Sequence, residues 1–182
     1  MRKFRLAGAG DAEELLAIYA PYVEKTAVSF EFVPPTKEEF AGRIRSIMAF
    51  FPYILCEEDG EILGYAYAHR FHERAGFNWD AELSVYVKEG KNRKGIGYAL
   101  YEKLIDILEK QGFYNLYALI SVPNEPSVAL HSRFGFETEA IHKDTGCKFG
   151  EWHDMIIMKK VLRKAEKDPT EPIPFYQTTF SL

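Results

Sequence analysis

The sequence is poor in cysteine, and its two cysteines are not placed for joint chemistry. Cys56 and Cys147 lie far apart and form no CxxC pair, which excludes a disulfide framework and the usual spacing of structural zinc ligands. Met1-Arg2-Lys3 leads into polar sequence, so no signal peptide is expected. We therefore expect free thiols and a cytoplasmic location.

Excess positive charge and long apolar runs are also missing. The chain has 23 Lys and Arg against 27 Asp and Glu, a formal net charge of −4 at pH 7. A general nucleic-acid or anionic-membrane surface is therefore not expected, and any basic site must be local. No stretch approaches the roughly 18 apolar residues of a membrane-spanning helix. His69 and His72 have no third ligand nearby, so no metal site is expected.

The chain does contain enough apolar sequence for one domain with a substantial core. Its 182 residues are 47% hydrophobic and 15% aromatic, and a chain of this length buries roughly two-thirds of its unfolded surface. We assign a single domain to residues 1–162. The tail, residues 163–182, is charged and then proline-containing, but it ends in the aromatics Phe175, Tyr176 and Phe180. We expect it to pack on the domain or on a dimer partner.

Hydrophobic periodicity and cap signals predict the order β-α-α-β-β-β-α-β-α-β-β. Asp11-x-x-Glu14 and Thr36-x-x-Glu39 both have the capping-box pattern at the starts of the first two helices. Pro21 is expected to kink or end the first helix near its last turn. Glu58-Asp59-Gly60 predicts a hairpin turn between two strands. The order predicts an α/β protein with a mixed sheet and helices on both faces.

One stretch, Glu82 to Leu100, predicts a phosphate-binding site. Alternating apolar residues indicate a half-buried strand, and an apolar helical repeat begins at Ile96. The glycine-containing turn between them carries four cations: Lys88, Lys91, Arg93 and Lys94. Backbone N–H groups of such a turn, together with the helix N-terminus, bind anions. The alternative is a solvated basic loop before an ordinary helix.

Five segments carry a likeness to a known family: Ala81–Val87, Gly95–Gly97, Val122–His131, Phe134–Phe136 and Lys148–Asp154. In this order they resemble the Gcn5-related N-acetyltransferase (GNAT) superfamily over nearly the whole chain, and most closely its phosphinothricin / methionine sulfone acetyltransferase branch. The resemblance implies a GNAT-type α/β (α+β) fold with a mostly antiparallel central sheet. The family signature begins with Gln or Arg, where this chain has Asn92, and Arg93 stands where many relatives have glycine.

The resemblance implies acetyl-CoA as the co-substrate. It places the pyrophosphate on six residues of the glycine turn: Arg93, Lys94, Gly95, Ile96, Gly97 and Tyr98. It places the pantetheine arm as an added strand along Val85, Tyr86 and Val87. It also implies that Asn124 hydrogen-bonds the arm, although the sequence equally favours Asn124 as a helix N-cap.

Two catalytic side chains are implied by the same resemblance. Glu82, at the start of the central strand, is the candidate general base for a neutral amine that attacks the thioester. Its alternative is a structural ion pair. His131 stands where many superfamily members carry a tyrosine that protonates the departing thiolate. His131 is equally predicted to hold the sulfur in place, or to be a buried core histidine.

Phe30, Glu31 and Arg74 match positions that line the acceptor pocket of the family. Arg74 would bind an acceptor carboxylate and Glu31 an ammonium, with loop packing and a surface ion pair as the alternatives. The function implied is acetyl transfer to the α-amine of a small acceptor such as phosphinothricin, methionine sulfone or methionine sulfoximine. The alternatives are a protein or peptide N-acetyltransferase and a non-catalytic acyl-CoA sensor. The family also implies a homodimer.

Overall fold

The computed structural model describes residues 1–182 and has the predicted order of strands and helices. The strands are β1 (Lys3–Leu6), β2 (Tyr53–Glu58), β3 (Glu61–Arg70), β4 (Asp80–Val87), β5 (Asn115–Val122), β6 (Glu137–Lys148) and β7 (Glu151–Val161). The α-helices are α1 (Ala12–Lys25), α2 (Lys37–Met48), α3 (Ile96–Gln111) and α4 (Glu125–Arg133). None of these helices has the length and apolarity needed to span a membrane.

The seven strands form one sheet in the order β1-β2-β3-β4-β5-β7-β6. All neighbouring strands run antiparallel except β4 and β5, which are parallel. The predicted mixed, mostly antiparallel sheet is therefore confirmed. β4 lies in the middle of the sheet, and β6 is an edge strand at the far end.

Helices cover both faces of the sheet, as predicted. On one face α3 buries its apolar stripe: Ile96, Leu100, Leu104, Ile107 and Leu108. On the other face α1 and α2 enclose a second core, to which Leu15 and Ile44 belong. Leu83 of β4 faces the α3 core and is 4% exposed. Because side chains alternate along a strand, its neighbours Glu82 and Ser84 face the side of α1 and α2.

Two local sequence signals are confirmed at their residues. The Thr36 hydroxyl accepts the N–H of Glu39 (3.2 Å), and the Glu39 carboxylate accepts the N–H of Thr36 (2.7 Å). This is the predicted capping box of α2. Between β2 and β3, Asp59 and Gly60 have φ of 53° and 81°, as a two-residue type I′ hairpin turn requires.

The capping box predicted at Asp11 is wrong. The Asp11 carboxylate makes no hydrogen bond to the first turn of α1. It accepts the N–H of Gly8 (2.7 Å) and pairs with the Arg5 guanidinium of β1 (2.7 Å). Arg5 holds the pKa of Asp11 below its ordinary value. The Arg5 guanidinium of β1 therefore binds the Asp11 carboxylate in place of the helix N–H groups.

Pro21 lies in the last two turns of α1, and the helix ends at Lys25, four residues beyond it.

The tail, residues 163–182, lies against the rest of the chain. Phe175 is buried, and its N–H donates to the Phe50 carbonyl (3.0 Å). The Gln111 side chain of α3 donates to the Ile173 carbonyl (2.8 Å). These bonds hold the tail beside the C-terminal end of α3.

Candidate active site

The central strands β4 and β5 separate beyond Glu82, and the separation creates a cleft. Parallel pairing joins only three residue pairs, from Asp80 with Asn115 to Glu82 with Tyr117. Beyond them an opening is lined by Val28, Leu83, Ser84, Val85, Tyr86, Tyr101, Ala118, Leu119, Ile120, Ser121, Asn124, Ser127 and His131. Sheet strands, α3 and α4 therefore all contribute to its walls.

Backbone groups of β4 point toward this cleft. In an antiparallel pair only alternate residues exchange hydrogen bonds, and the Lys88 N–H donates to the Leu63 carbonyl at 2.9 Å. By alternation, the N–H and C=O groups of Val85 and Val87 point toward β5, where pairing has ended. The Tyr22 hydroxyl of α1 donates to the Val87 carbonyl (2.6 Å) and accepts the Val87 N–H (3.3 Å). Val85 has no such side-chain partner.

The N-terminus of α3 presents backbone donors without partners. Its N-cap is Gly95, with a left-handed φ of 75° and no side chain to cap the helix. The Ala99 N–H bonds to the Gly95 carbonyl at 3.0 Å, whereas the N–H groups of Ile96, Gly97 and Tyr98 lie before the first helical bond. The first turn contains no acidic residue. This helix end therefore has the donors and the partial positive charge that bind an anion.

Two of the four cations in the turn before α3 are already paired. Lys88 and Lys91 contact Glu61 of β3 at 2.9 and 2.8 Å, and they lower the pKa of Glu61 to about 2. Arg93 and Lys94 are exposed and form no ion pair. Arg93 has a φ of 61°, a left-handed conformation that glycine adopts most easily. Two cations are thus available beside the helix end.

Sequence reasoning missed a third cation at this place, Arg133 of α4. Its guanidinium lies 4.6 Å from the centre of the Tyr98 ring, and that ring stacks on Phe134 with centroids 4.6 Å apart. The contact joins the start of α3 to the end of α4. It depends on tertiary packing, so no local pattern could have indicated it.

Asn124 is the N-cap of α4. Its Oδ1 accepts the N–H of Ser127 at 3.3 Å, and a proline occupies the first turn of the helix. The side chain also lines the cleft. The Ser127 N–H uses one of the two lone pairs of this oxygen, so the second lone pair and the amide nitrogen remain for a contact with a ligand.

His131 is buried, and both of its ring nitrogens have hydrogen-bond partners. Nδ1 lies 2.7 Å from the Ser127 carbonyl; a carbonyl only accepts, so Nδ1 carries the proton. Nε2 then accepts from the Tyr101 hydroxyl at 2.8 Å. Burial lowers the pKa of His131. Neutral His131 therefore has no N–H left to give to a leaving group, and Tyr101 is a partner that sequence reasoning missed.

Glu82 is half-buried rather than enclosed in a dry core, with 20% of its side chain exposed. Its Oε1 lies 3.7 Å from Nε2 of His69, the residue opposite it on β3. Burial raises the pKa of Glu82, and His69 and His72 partly oppose the rise. A carboxylate with a raised pKa at the point where β4 and β5 part is suited to accept a proton.

The candidate acceptor residues lie in two loops. Phe30 and Glu31 belong to the α1–α2 loop, residues 26–36. Both oxygens of Glu31 are occupied: Oε1 by the Arg43 guanidinium (2.6 Å) and Oε2 by the Tyr19 hydroxyl (3.0 Å). The ion pair that was the alternative for Glu31 is thus present, with Arg43 of α2 as a partner that the sequence did not indicate.

Arg74 lies apart from that network, in the connection between β3 and β4. Its backbone precedes a short 3-10 turn, Ala75–Phe77. Its side chain is exposed and forms no ion pair or side-chain hydrogen bond. The structure therefore does not join Arg74 to Glu31.

Comparison with known proteins identifies the family of this chain. Residues 4–157 match the family described as acetyltransferase (GNAT) domain. The phosphinothricin N-acetyltransferase of Streptomyces viridochromogenes is 33% identical over 153 residues, 84% of each chain. The L-methionine sulfoximine/L-methionine sulfone acetyltransferase of Pseudomonas aeruginosa is 33% identical over 175 residues, 93% of this chain and 97% of the relative.

A solved structure gives the same result for the fold. The phosphinothricin acetyltransferase (Pat) of Sinorhizobium meliloti, in complex with AcCoA, has a TM-score of 0.89 and 32% identity, covering 98% of this chain and 97% of that one. The protein therefore belongs to the GNAT acetyltransferase family. The predicted family, fold class and enzyme class, an acetyl-CoA-dependent N-acyltransferase, are confirmed.

Proposed function

We propose that the protein transfers acetyl from acetyl-CoA to the α-amine of a small amino-acid-like acceptor of the phosphinothricin, methionine sulfone or methionine sulfoximine type. The observation that carries the proposal is the cleft between β4 and β5, which opens beyond Glu82 and runs along Val85 and Val87. A Cβ on Gly97, at the N-terminus of α3, would lie 3.8 Å from the Val85 side chain and 3.7 Å from that of Val87. Relatives named for these acceptors support the choice of substrate class.

The free groups around the cleft fit the two ends of acetyl-CoA. The N–H groups of Ile96, Gly97 and Tyr98 would receive the pyrophosphate, with Arg93 and Lys94 neutralising its charge. The amides of the pantetheine arm would pair with the unpartnered backbone of Val85. Pairing at Val87 requires the Tyr22 hydroxyl to leave, because it now holds both backbone groups of that residue.

Acetyl-CoA would supply the activated acetyl group as a thioester. An α-amine with a pKa of about 7.8 is roughly one-seventh neutral at pH 7, so it needs only modest help from a base. The amine nitrogen forms a bond to the carbonyl carbon while the carbon–sulfur bond breaks. Glu82 takes the amine proton directly or through a water molecule, and the CoA thiolate leaves. A base in this role typically contributes about 10²–10⁴ in rate.

His131 would lie near the sulfur atom of the thioester. Its hydrogen bonds to Ser127 and Tyr101 favour the role of holding the cleft wall and the sulfur in place. The predicted general-acid role needs a proton on Nε2, where the Tyr101 hydroxyl now donates. The pH dependence of kcat distinguishes the two roles.

Recognition of the acceptor is assigned to Phe30, Glu31 and Arg74. Arg74 carries an unpaired guanidinium suited to a carboxylate. Phe30 supplies an apolar surface at the α1–α2 loop. Glu31 would receive the acceptor ammonium. Arg43, which pairs with Glu31 at 2.6 Å, would then be a second cation available to the acceptor carboxylate.

The deciding experiment measures CoA release from acetyl-CoA with a panel of acceptors. We expect release with phosphinothricin, methionine sulfone or methionine sulfoximine, and acetylation of the α-amine by mass spectrometry. Turnover only with peptide N-termini or lysines would replace this proposal with protein acetylation. If calorimetry shows that acetyl-CoA binds but no acceptor is turned over, the result would support the alternative function, a non-catalytic acyl-CoA sensor.

The proposal extends to assembly and location. Exposed apolar side chains concentrate on the α1–α2 loop and on the β6–β7 hairpin: Phe32, Val33, Ile141, Phe149 and Trp152. A homodimer that covers them would remove a large apolar surface from water. Both cysteines are free thiols, which fits the reducing cytoplasm.

A further inference from the structure

Lys148, the last residue of β6, is a buried ammonium that the proposed chemistry does not use. It is 2% exposed, and its Nζ donates to the carbonyls of Val23 (2.6 Å), Thr26 (2.8 Å) and Ser29 (2.5 Å). An ammonium has three donors, so each one has a partner. Burial lowers the pKa of Lys148, but a neutral amine has only two N–H groups and would leave one carbonyl without a donor.

The three carbonyls mark the point where α1 ends and the α1–α2 loop begins. Val23 lies in the last turn of α1, where carbonyls lack helical partners and the helix dipole favours a cation. Thr26 and Ser29 lead directly into Phe30 and Glu31. A single charge on β6 thus fixes the helix end and the start of the loop together.

Other contacts hold the same segment. A methyl group on Gly146, two residues before Lys148, would overlap the Phe30 ring, so the ring packs directly on bare backbone of β6. The Ser121 hydroxyl of β5 donates to the Ala27 carbonyl at 2.5 Å. Both contacts join a strand of the sheet to the α1–α2 loop. The loop residues that they hold, Phe30 and Ala27, precede Glu31 in the chain.

We propose that Lys148 is a positioning residue for the acceptor. Its ammonium, with Gly146 on the same strand, ties the α1–α2 loop to β6 so that Phe30 and Glu31 are presented to the acceptor at a fixed place. That the loop binds the acceptor rests on the proposed function. The attachment of the α1–α2 loop to β6 by Lys148, which we call the tether, is a property of the protein without ligands. Loop order and activity are therefore measured separately.

The first measurement is amide hydrogen exchange on the free full-length protein. Lys148→Met keeps the side-chain length and removes the charge, leaving three buried carbonyls unsatisfied. We expect exchange at residues 26–31 to rise by about tenfold or more, with the core amides of α3 unchanged. Lys143→Met on the same strand is the matched control, because the Lys143 side chain is 72% exposed. It should leave exchange in the loop as in the wild type.

The second measurement separates KM from kcat. Lys148→Met should raise KM for the acceptor about ten- to a hundredfold, with KM for acetyl-CoA within about twofold of the wild type. Gly146→Ala keeps the ammonium but displaces Phe30, so it should give the same pattern. If Lys148→Met fails to fold, Gly146→Ala still tests the proposal.

Three results would overturn the proposal. They are unchanged exchange in the loop, an equal rise in exchange in the loop and in α3, and an equal loss of affinity for both substrates. If no acceptor is acetylated by the wild type, the proposed function fails. Exchange in the loop then still decides whether Lys148 is a tether.

Discussion

At the scale of single residues, Glu82 gains basicity from where β4 places it. Burial raises its pKa, and only the ionised form can accept a proton. We therefore expect kcat/KM of the wild type to fall as pH drops through this raised pKa. The acceptor amine, which must be neutral to attack, adds a second acid limb below its own pKa of about 7.8. Glu82→Gln should lower kcat about 10²–10⁴-fold and remove only the limb that belongs to Glu82, so that kcat/KM of the variant falls less steeply at low pH than that of the wild type. Initial rates of CoA release between pH 5 and 9 give the comparison.

The control for Glu82→Gln is acetyl-CoA binding, because the α3 end of the cleft is untouched. Calorimetry should give the affinity of the wild type. A variant that retains wild-type kcat across the pH range would remove Glu82 from the chemistry.

His131 gives a prediction about stability rather than rate. Its folded pKa lies below the ordinary value of 6.5 because burial disfavours the charged ring. The unfolded chain therefore binds the proton more readily, and stability present above about pH 6.5 is lost as pH falls toward the lowered pKa. His131→Gln should cost about 1–3 kcal/mol at pH 7.5 and remove this slope. Urea unfolding at pH 7.5, 6 and 5 measures both effects.

The same variant separates the two roles of His131. A positioning residue should change kcat modestly and leave the shape of its pH profile unaltered. Loss of an alkaline limb, with a fall in kcat as large as that of Glu82→Gln, would instead identify His131 as the general acid.

Which candidate site residues the sequence indicates depends on how local their signals are. Glu82, His131 and the glycine turn lie in contiguous motifs, so the sequence alone was enough to propose them, and their roles stay predictions. Tyr101 and Tyr22 were missed because they act through residues 30 and 65 positions away. Glu31 was proposed from the sequence, but its ion pair with Arg43 depends on how α2 packs against the α1–α2 loop.

At the scale of elements, the N-terminus of α3 carries a prediction about cofactor affinity. Replacing both Arg93 and Lys94 by alanine removes two cations that have no ion-pair partner. Hydrogen bonds to charged groups contribute roughly 1.5–3 kcal/mol each, so KM for acetyl-CoA should rise about tenfold or more, with kcat little changed. Steady-state kinetics at two salt concentrations should show a weaker salt dependence in the variant.

Lys110→Ala is the matched control at the other end of α3, where Lys110 pairs with Asp106 at 2.7 Å. We expect its kinetics to equal those of the wild type. Because Lys110→Ala removes one cation and the test variant removes two, a change in the logarithm of KM half as large as that of the test variant would mean that net charge alone, not the helix end, governs affinity.

Helix caps illustrate why elements were predicted well and their ends less well. Thr36 and Glu39 form reciprocal hydrogen bonds within one helical turn, so the local sequence pattern was sufficient to predict the capping box. Asp11 has the same pattern, but β1 brings Arg5 beside it, and a charge-assisted pair outcompetes a cap. The succession of strands and helices along the chain was likewise predictable from periodicity, whereas the order of the strands in the sheet and the parting of β4 and β5 are properties of the assembled sheet.

At the scale of the whole molecule, the exposed apolar side chains predict assembly. We expect light scattering to give twice the chain mass of 21.0 kDa. Trp152→Glu places a charge on a side chain that is 63% exposed, and it should shift the protein toward monomer. Tyr176→Ser, in the tail at 61% exposed, tests the alternative contact: it should remain dimeric if the tail packs only on its own domain. A monomeric wild type would contradict the proposed homodimer.

The short pairing of β4 with β5 has a mechanical consequence. Antiparallel ladders of four to eight residue pairs join the strands within β1–β4 and within β5–β7, whereas only three residue pairs join these two blocks. Relative twisting of the blocks is therefore resisted by the core that α3 shares with both of them, by the hydrogen bonds of Ser121 and Lys148 to the end of α1 and the α1–α2 loop, and by whatever molecule lies in the gap. A ligand lying there as an extra strand would brace the sheet, so substrate occupancy and rigidity of the molecule rise together.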